Sequence, residues 1–270
     1  MTSHGKRIVI LVISLVSLIG LVGCGQSSDK QDNNKKLTKE EKINKGLDAF
    51  YNMRNGKIHI DSKLHYVNNK LKDGDEGEKE LNNTVDASFE MGPLLVRGKI
   101  KQSIRGKVKQ VKGSMEYYGT DLEEYRKEDK DKNWKQKIYA GNRHKLPVGF
   151  NKELIDILRT KKKDITVTQN KNSYTLHFDT DDVKFLSANS DIFFGAAYTT
   201  FYVNDLDESG KATVDVTVSK DGSKPISIRY SGNTVSNLGS KNFRSTVKYS
   251  KQNTGVRVNE PKGIDKAKGI

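Results

Sequence analysis

From Gly56 onward, apolar side chains recur at every second position. Ile58, Ile60, Leu64 and Tyr66 share one face, while Lys57, His59, Asp61, Lys63 and His65 share the other. A period of two belongs to a β-strand, whose successive side chains point to opposite faces. The alternation returns in Val85, Ala87, Phe89 and Met91 against Thr84, Asp86, Ser88 and Glu90. It returns again in Val96, Ile100 and Ile104 against Arg97, Lys99, Lys101 and Arg105. Met115 and Tyr117 follow, then Trp134, Gln136 and Ile138 set against Lys135 and Lys137. One apolar face and one charged face means antiparallel strands with one side in water. Asp73 to Gly77 supplies a hairpin loop between the first two strands.

Helical spacing interrupts this pattern at three places. Thr38-Lys39-Glu40-Glu41 matches the capping box, and behind it Ile43, Leu47, Phe50 and Tyr51 form one apolar stripe ending near Asn55-Gly56. Asn151 is a good N-cap for a second helix carrying Leu154, Ile155 and Leu158. A third capped helix begins near Asp181 and runs into the most apolar stretch after the leader, Ile192 to Tyr198. Strands surround these helices. Ile165-Val167 and Tyr174-Leu176-Phe178 form a hairpin turned through Asn170-Lys171-Asn172. Phe201-Val203, Val214-Val216-Val218, Ile226-Ile228-Tyr230 and Phe243-Val247-Tyr249 follow, with Asp221-Gly222 as a tight turn.

No Pro/Gly/Ser linker divides residues 38–270, and about 230 residues suffice for one domain with its own core. The expected fold is α+β: a single antiparallel sheet, too long to stay flat, that curls. About three helices then cover its concave face.

The leader is a separate feature. Ile8 to Val22 is apolar apart from Ser14, Ser17 and Gly20. Lys6 and Arg7 precede it, and the first 23 residues contain no acid. These are the regions of a secretory signal. Fifteen residues span roughly 22 Å, short of the ~30 Å hydrocarbon core, so an uncleaved anchor is the weaker reading. Leu21-Val22-Gly23-Cys24 resembles the bacterial lipobox. That resemblance implies signal peptidase recognition through Leu21, Val22 and Gly23, cleavage before Cys24, and diacylglycerol on the Cys24 thiol. The expected organisation is a signal peptide at 1–23, a lipid-anchored tether at 24–37 and a domain at 38–270. Gly25 to Lys36 has no apolar residue and makes a flexible tether with a reach of roughly 20 Å. Cys24 is the only cysteine, so no intramolecular disulfide forms. Gly25, not being Asp, is compatible with an outer-membrane address or a Gram-positive plasma membrane. Low Pro with high Lys and Asn fits a low-GC Gram-positive organism. The expected location is the extracytoplasmic face of the cell membrane.

The order of elements, a capped helix and a long meander broken by helices and closed by more strands, resembles the LolA-like (LolA/LolB/LppX-type) lipoprotein superfamily. "VTVSKDGSKPISIRYSG" (Val216 to Gly232) looks like its two late strands, and "NEPKGIDKAKGI" (Asn259 to Ile270) resembles its closing tail. The resemblance implies an incomplete β-barrel wrapped around helices that binds or carries lipids, lipoproteins or other apolar molecules. Phe193, Phe194 and Tyr198, with Trp134, are the candidates for lining such a cavity; plain core packing is the alternative for each.

Other chemistry finds no motif. There is no H-E-x-x-H, no Cys pair, no G-x-S-x-G and no P-loop. His59, His65 and His177 fall on polar strand faces as solvated side chains, and His144 stands apart. Asp205 to Gly210 begins like a calcium loop, but Val216 stands where the bidentate Glu is required. Neither an enzyme, a metal nor a cofactor is expected. The net charge is +14, and loss of Lys6 and Arg7 leaves +12. Arg97, Lys99, Lys101, Arg105, Lys107 and Lys109 suggest a basic stripe. A lipid-anchored extracytoplasmic protein meets anionic head groups or wall polymers rather than nucleic acid. Two roles stay open: a monomeric carrier of a hydrophobic small molecule or lipid, or a surface protein recognising a wall polymer or protein partner through its basic face.

Overall fold

The helix announced by Thr38 forms over Lys39–Tyr51 (α1). Thr38 Oγ1 accepts from the Glu41 N–H at 3.2 Å, and the Glu41 carboxylate accepts from the Thr38 N–H at 2.8 Å. Two orphan donors of the first turn are thereby satisfied. In this computed structural model residues 37–69, 77–138, 146–186, 189 and 208–269 are described. The expected signal peptide, the tether except Leu37, the hairpin loop at 73–77 except Gly77, and the Ile192–Val203 stretch lie outside them.

After α1 come β1 (Asn55–Asn68), β2 (Glu78–Met91), β3 (Leu94–Arg105), β4 (Gln110–Thr120), β5 (Glu123–Glu128) and β6 (Lys135–Ile138). Then follow α2 (Lys152–Thr160), β7 (Thr166–Gln169) and β8 (Ser173–Thr180). Residues 183–186 are helical, with Asp182 Oδ1 accepting from the Phe185 N–H at 3.1 Å. The chain closes with β9 (Ser209–Ser219), β10 (Pro225–Ser236), β11 (Gly239–Ser250) and the short β12 (Lys268–Gly269).

These strands make one twelve-stranded sheet in the order β12-β6-β5-β4-β3-β2-β1-β11-β10-β9-β8-β7. Every neighbour pair is antiparallel except β12 with β6. The first strand pairs with the last long one, Leu64 opposite Phe243, so the middle of the sheet joins the two ends of the domain. Among the described residues the terminal strands β7 and β12 do not pair with each other, and the sheet they bound stays open. Thr38–Ile270 is a compact unit whose described pairings and core contacts are all internal.

The curl has a local cause. Gly98 on β3 stands opposite Ala87 on β2, and Gly232 on β10 opposite Ala212 on β9. A Cβ on Gly98 would lie 2.2 Å from the Asp86 carbonyl oxygen and 2.5 Å from Ala87 Cβ. One on Gly232 would lie 2.1 Å from the Lys211 carbonyl oxygen and 2.7 Å from Ala212 Cβ. Only residues this small let adjacent backbones close up on the inner face, which is how a sheet bends there.

The helices sit on that inner face. Ile43, Leu47 and Phe50 of α1, Leu154, Ile155 and Leu158 of α2, and Phe185 and Leu186 of the third segment all enter the main core. Gly46 lets α1 approach β8, where a Cβ would meet Leu176 Cδ1 at 3.1 Å. On the solvent side Arg159 joins the two helices. It binds Asp48 at 2.6 Å and stacks 4.4 Å from the Tyr51 ring.

One strand departs from strict alternation. Ile226 shares the parity of buried Ile228 and Tyr230, yet it is 39% exposed. A β-bulge is the reason: Pro225 pairs with Val218 and Ser227 with Thr217, so Ile226 is the extra residue and Pro225 takes the inner position.

Candidate functional site

The concave face is the largest apolar surface the sheet builds. Val216, Ile228, Val247, Ile60, Val85 and Ile100 stand opposite one another in register from β9 to β3. All are buried. Strand pairing alone assembles this row from residues up to 187 positions apart in the chain.

Each covering segment is held to the face by one tyrosine hydroxyl. Tyr174 on β8 donates to the Lys42 carbonyl of α1 at 2.8 Å. Tyr249 on β11 donates to the Val148 carbonyl before α2 at 2.8 Å, and Tyr230 on β10 to the Leu186 carbonyl at 3.3 Å. A buried phenol needs such a partner. Burial pushes the Tyr249 phenol well above its usual range; burial, then the Asp221 carboxylate, lifts Tyr174 to about 12. These phenols therefore remain donors at neutral pH. Around Tyr249, Phe50 and Phe150 meet edge to face at 5.3–5.8 Å, and Phe150 also meets Phe89 at 6.4 Å. The alternation marked these tyrosines as inward-facing but carried no sign of their hydrogen bonds.

Trp134 does not line this face. Its place in the expected cavity is corrected here: Gln136, of the same parity, pairs with Tyr125, and Tyr125 with Tyr118, all on the outer face. There Trp134, Tyr118, Val258 and Ile264 form a second, smaller cluster. Trp134 Nε1 donates to the Lys262 carbonyl at 3.3 Å. The closing tail covers the outer face at this end, so both faces have an apolar side and parity alone assigns Trp134 to neither. Conversely β5 turns charge inward. Glu124 is fully buried beside Arg126 at 2.6 Å, a pair at i, i+2 that the alternation of apolar residues does not reveal.

The outer face elsewhere alternates in sign. Lys99 stands opposite Asp86 and Glu116 and lies 3.8 Å from Asp129; Arg105 binds Glu80 at 2.8 Å; Arg97 donates to the Asn259 carbonyl at 2.9 Å. Arg105, together with Asn82, holds the Glu80 carboxyl below its usual range, the Asn82 hydrogen bond weighing most. Within the stripe Arg97, Lys99, Lys101, Arg105, two of the four cations, Lys99 and Arg105, thus stand beside acids. The histidines share this pattern: His59 pairs with Asp86 at 2.7 Å, His65 with Glu78 at 2.9 Å and His177 with Asp215 at 2.6 Å. Among the described residues no three His, Cys, Asp or Glu side chains come together to hold a metal ion. No described helix is long and apolar enough to cross a membrane.

Leu21, Val22, Gly23 and Cys24 lie outside the described residues, as do Phe193, Phe194, Tyr198 and His144.

A family model described as a family of unknown function, DUF6612, matches residues 38–194. No curated protein matches the chain. Among solved structures, it is similar to a beta-barrel-like protein of the domain of unknown function DUF1849 from Brucella abortus. That likeness has 8% identity and a TM-score of 0.29, covering 74% of this chain and 100% of the other. It is also similar to a porin-like protein from Bacteroides uniformis at 12% identity and a TM-score of 0.22, covering 72% and 95%.

Proposed function

The chain belongs to DUF6612, a family of unknown function whose model spans residues 38–194, and we propose that it is a membrane-anchored extracytoplasmic lipoprotein. Its role is to bind or carry a hydrophobic ligand on the concave face of its sheet, without catalysis. The observation that carries the binding role is an open sheet of twelve strands whose inner face is apolar in register across six of them. An open, curled sheet leaves room along its free edges that a closed small barrel would fill with side chains. The LolA-like resemblance supports the same role.

The anchor rests on Leu21-Val22-Gly23-Cys24 behind the apolar run Ile8 to Val22. Each buried CH₂ contributes about 0.8 kcal/mol, so a diacylglyceryl group on Cys24 holds the protein stably where a single chain would not. The alternating charges of the outer face favour this reading over a polyanion-binding one. Labelled palmitate fed to expressing cells tests the anchor: it enters the wild type and not Cys24→Ala. Native mass spectrometry of the Thr38–Ile270 unit purified from cells tests the ligand. Extra mass that organic solvent extracts is expected; bare protein from every preparation refutes the carrier role.

A further inference from the structure

At the rim of the sheet where β1 begins, the outer face carries an open hollow of about 400 Å³. Register builds it. Ser250, Lys57, Ser88 and Arg97 stand opposite one another on β11, β1, β2 and β3. Lys248 lies diagonally across from Lys57, opposite His59. Neighbours across a strand pair are about 5 Å apart, so the short side chains of Ser88 and Ser250 make a floor between three long cationic ones. All of these residues line the hollow.

Elsewhere on this face Lys99 and Arg105 stand beside acids; here the nearby acids are engaged by other groups. Asp86 pairs with His59 at 2.7 Å, and Glu90 pairs with Arg257 at 3.0 Å and accepts from the Val258 N–H. Lys57 and Lys248 are exposed and form no ion pair among the described residues. Arg97 donates through Nη1 to the Asn259 carbonyl of the closing tail at 2.9 Å. A guanidinium has five N–H donors, so this bond steadies the group and leaves donors for a ligand. Just beyond, Arg54 before β1 and Lys251 after β11 are also exposed and without an ion pair among the described residues. Positive charge that no acid answers thus gathers at one rim.

We infer that this hollow is a phosphate subsite that takes the phosphodiester of one anionic phospholipid head group, and so holds this rim against the membrane that anchors the protein. The inference rests on the lipid anchor proposed above and adds a second contact with the same bilayer. Guanidinium and ammonium N–H groups make charge-assisted hydrogen bonds to phosphate oxygens, and a serine hydroxyl between them adds a neutral donor. Position favours a lipid. The first element after the tether is α1, whose 13 residues span about 20 Å and lead into β1 at this rim. A tether with a reach of roughly 20 Å therefore brings the hollow within range of the head groups. Anionic lipids attract basic clusters held this close. A wall polymer would need a continuous cationic track, and Asp86, Glu116 and Asp129 around Lys99 interrupt the face beyond the hollow.

The test is co-sedimentation of the Thr38–Ile270 unit with vesicles of phosphatidylglycerol mixed into phosphatidylcholine, and with vesicles of phosphatidylcholine alone, in about 0.15 M salt. The unit should favour the mixed vesicles. Lys57→Gln and Lys248→Gln should each weaken that binding about fivefold, and Ser88→Ala about threefold with no change of charge. Lys101→Gln is the control. It removes the same charge from the same face, four residues from Arg97 along β3 and so about 13 Å away, beyond the screening length of about 8 Å. It should change binding by about twofold at most. Melting temperatures should stay equal, since none of the three lysines forms an ion pair among the described residues. No loss for Lys57→Gln, Lys248→Gln or Ser88→Ala, a loss for Lys101→Gln equal to that for Lys57→Gln, or equal binding to both kinds of vesicle overturns the inference. So does tighter binding, per phosphate, to poly(glycerol phosphate) than to the mixed vesicles, which would make a wall polymer the occupant. The unit lacks Cys24, so these results are independent of the palmitate label, and the anchor stands or fails on that label alone.

Discussion

Replacing Gly98 by Ala adds one methyl group at the point where β3 and β2 close together. Its Cβ would sit 2.2 Å from the Asp86 carbonyl oxygen, 2.5 Å from Ala87 Cβ and 2.6 Å from Ala87 Cα. Two of these three atoms belong to backbone, so no rotamer change relieves the contact. The strands themselves must part, in a sheet whose inner face is close-packed against helices. Overpacking of this kind costs about 1–3 kcal/mol, and a backbone clash below normal contact places Gly98→Ala at the upper end, about 3 kcal/mol. For a unit of this size each kcal/mol moves the melting temperature by roughly 2–4 °C, so a fall of about 6–12 °C is expected in thermal unfolding followed by circular dichroism. Gly113→Ala is the control: the same change on the neighbouring strand meets nothing within 4 Å and should stay within about 0.5 kcal/mol. Ala87→Gly in the Gly98→Ala background should restore only part of the loss, since the contact with the Asp86 carbonyl remains. Equal melting temperatures for Gly98→Ala and Gly113→Ala would refute the claim that the curl depends on close approach at Gly98.

Thr38→Ala removes the capping-box oxygen at α1 and should lower stability by about 1 kcal/mol in urea titration, with the slope unchanged. Phe150→Ala empties the centre of the Phe50, Phe89 and Tyr249 cluster and should cost about 3–5 kcal/mol in the same assay; a loss below 1 kcal/mol would mean the cluster is not core. Hydrogen bonds from Ser219 and Ser223 hold the Asp221 carboxyl down to about 2. Because the folded value lies below the unfolded one, about 3.9, the stabilisation is complete above the latter and lost as pH falls toward 2. Wild type should therefore lose stability more steeply than Asp221→Asn between about pH 4 and 2, and parallel acid titrations would contradict the assignment.

The elements were legible in the sequence because their causes are local. A capping box at Thr38, an N-cap at Asn151 and the period of two from Ile58 to Tyr249 each act within a few residues, and the structure places a helix or strand at each described one. The α+β class and the curl followed from the number of half-apolar strands, since such a sheet must cover its inner face. Trp134 shows where this reasoning stops. Period two says that a strand has two faces, but the tail from Val258 to Ala267 makes the outer face apolar at one end, and nothing local reveals that a distant segment returns there. Ile226 makes the same point from a bulge, and Glu124 from a charge turned inward. A buried polar row on the inner face, Ser245, Ser62, Asn83 and Gln102 in register, is the extreme case. Ser62, Asn83, Gln102 and Ser245 are single polar residues scattered over four strands, unremarked one at a time. Only the register, set by long-range pairing of β1 with β11, puts them side by side. Local propensity and periodicity determine what each segment becomes; which residues meet depends on pairings made across nearly the whole chain, and that only the tertiary structure decides.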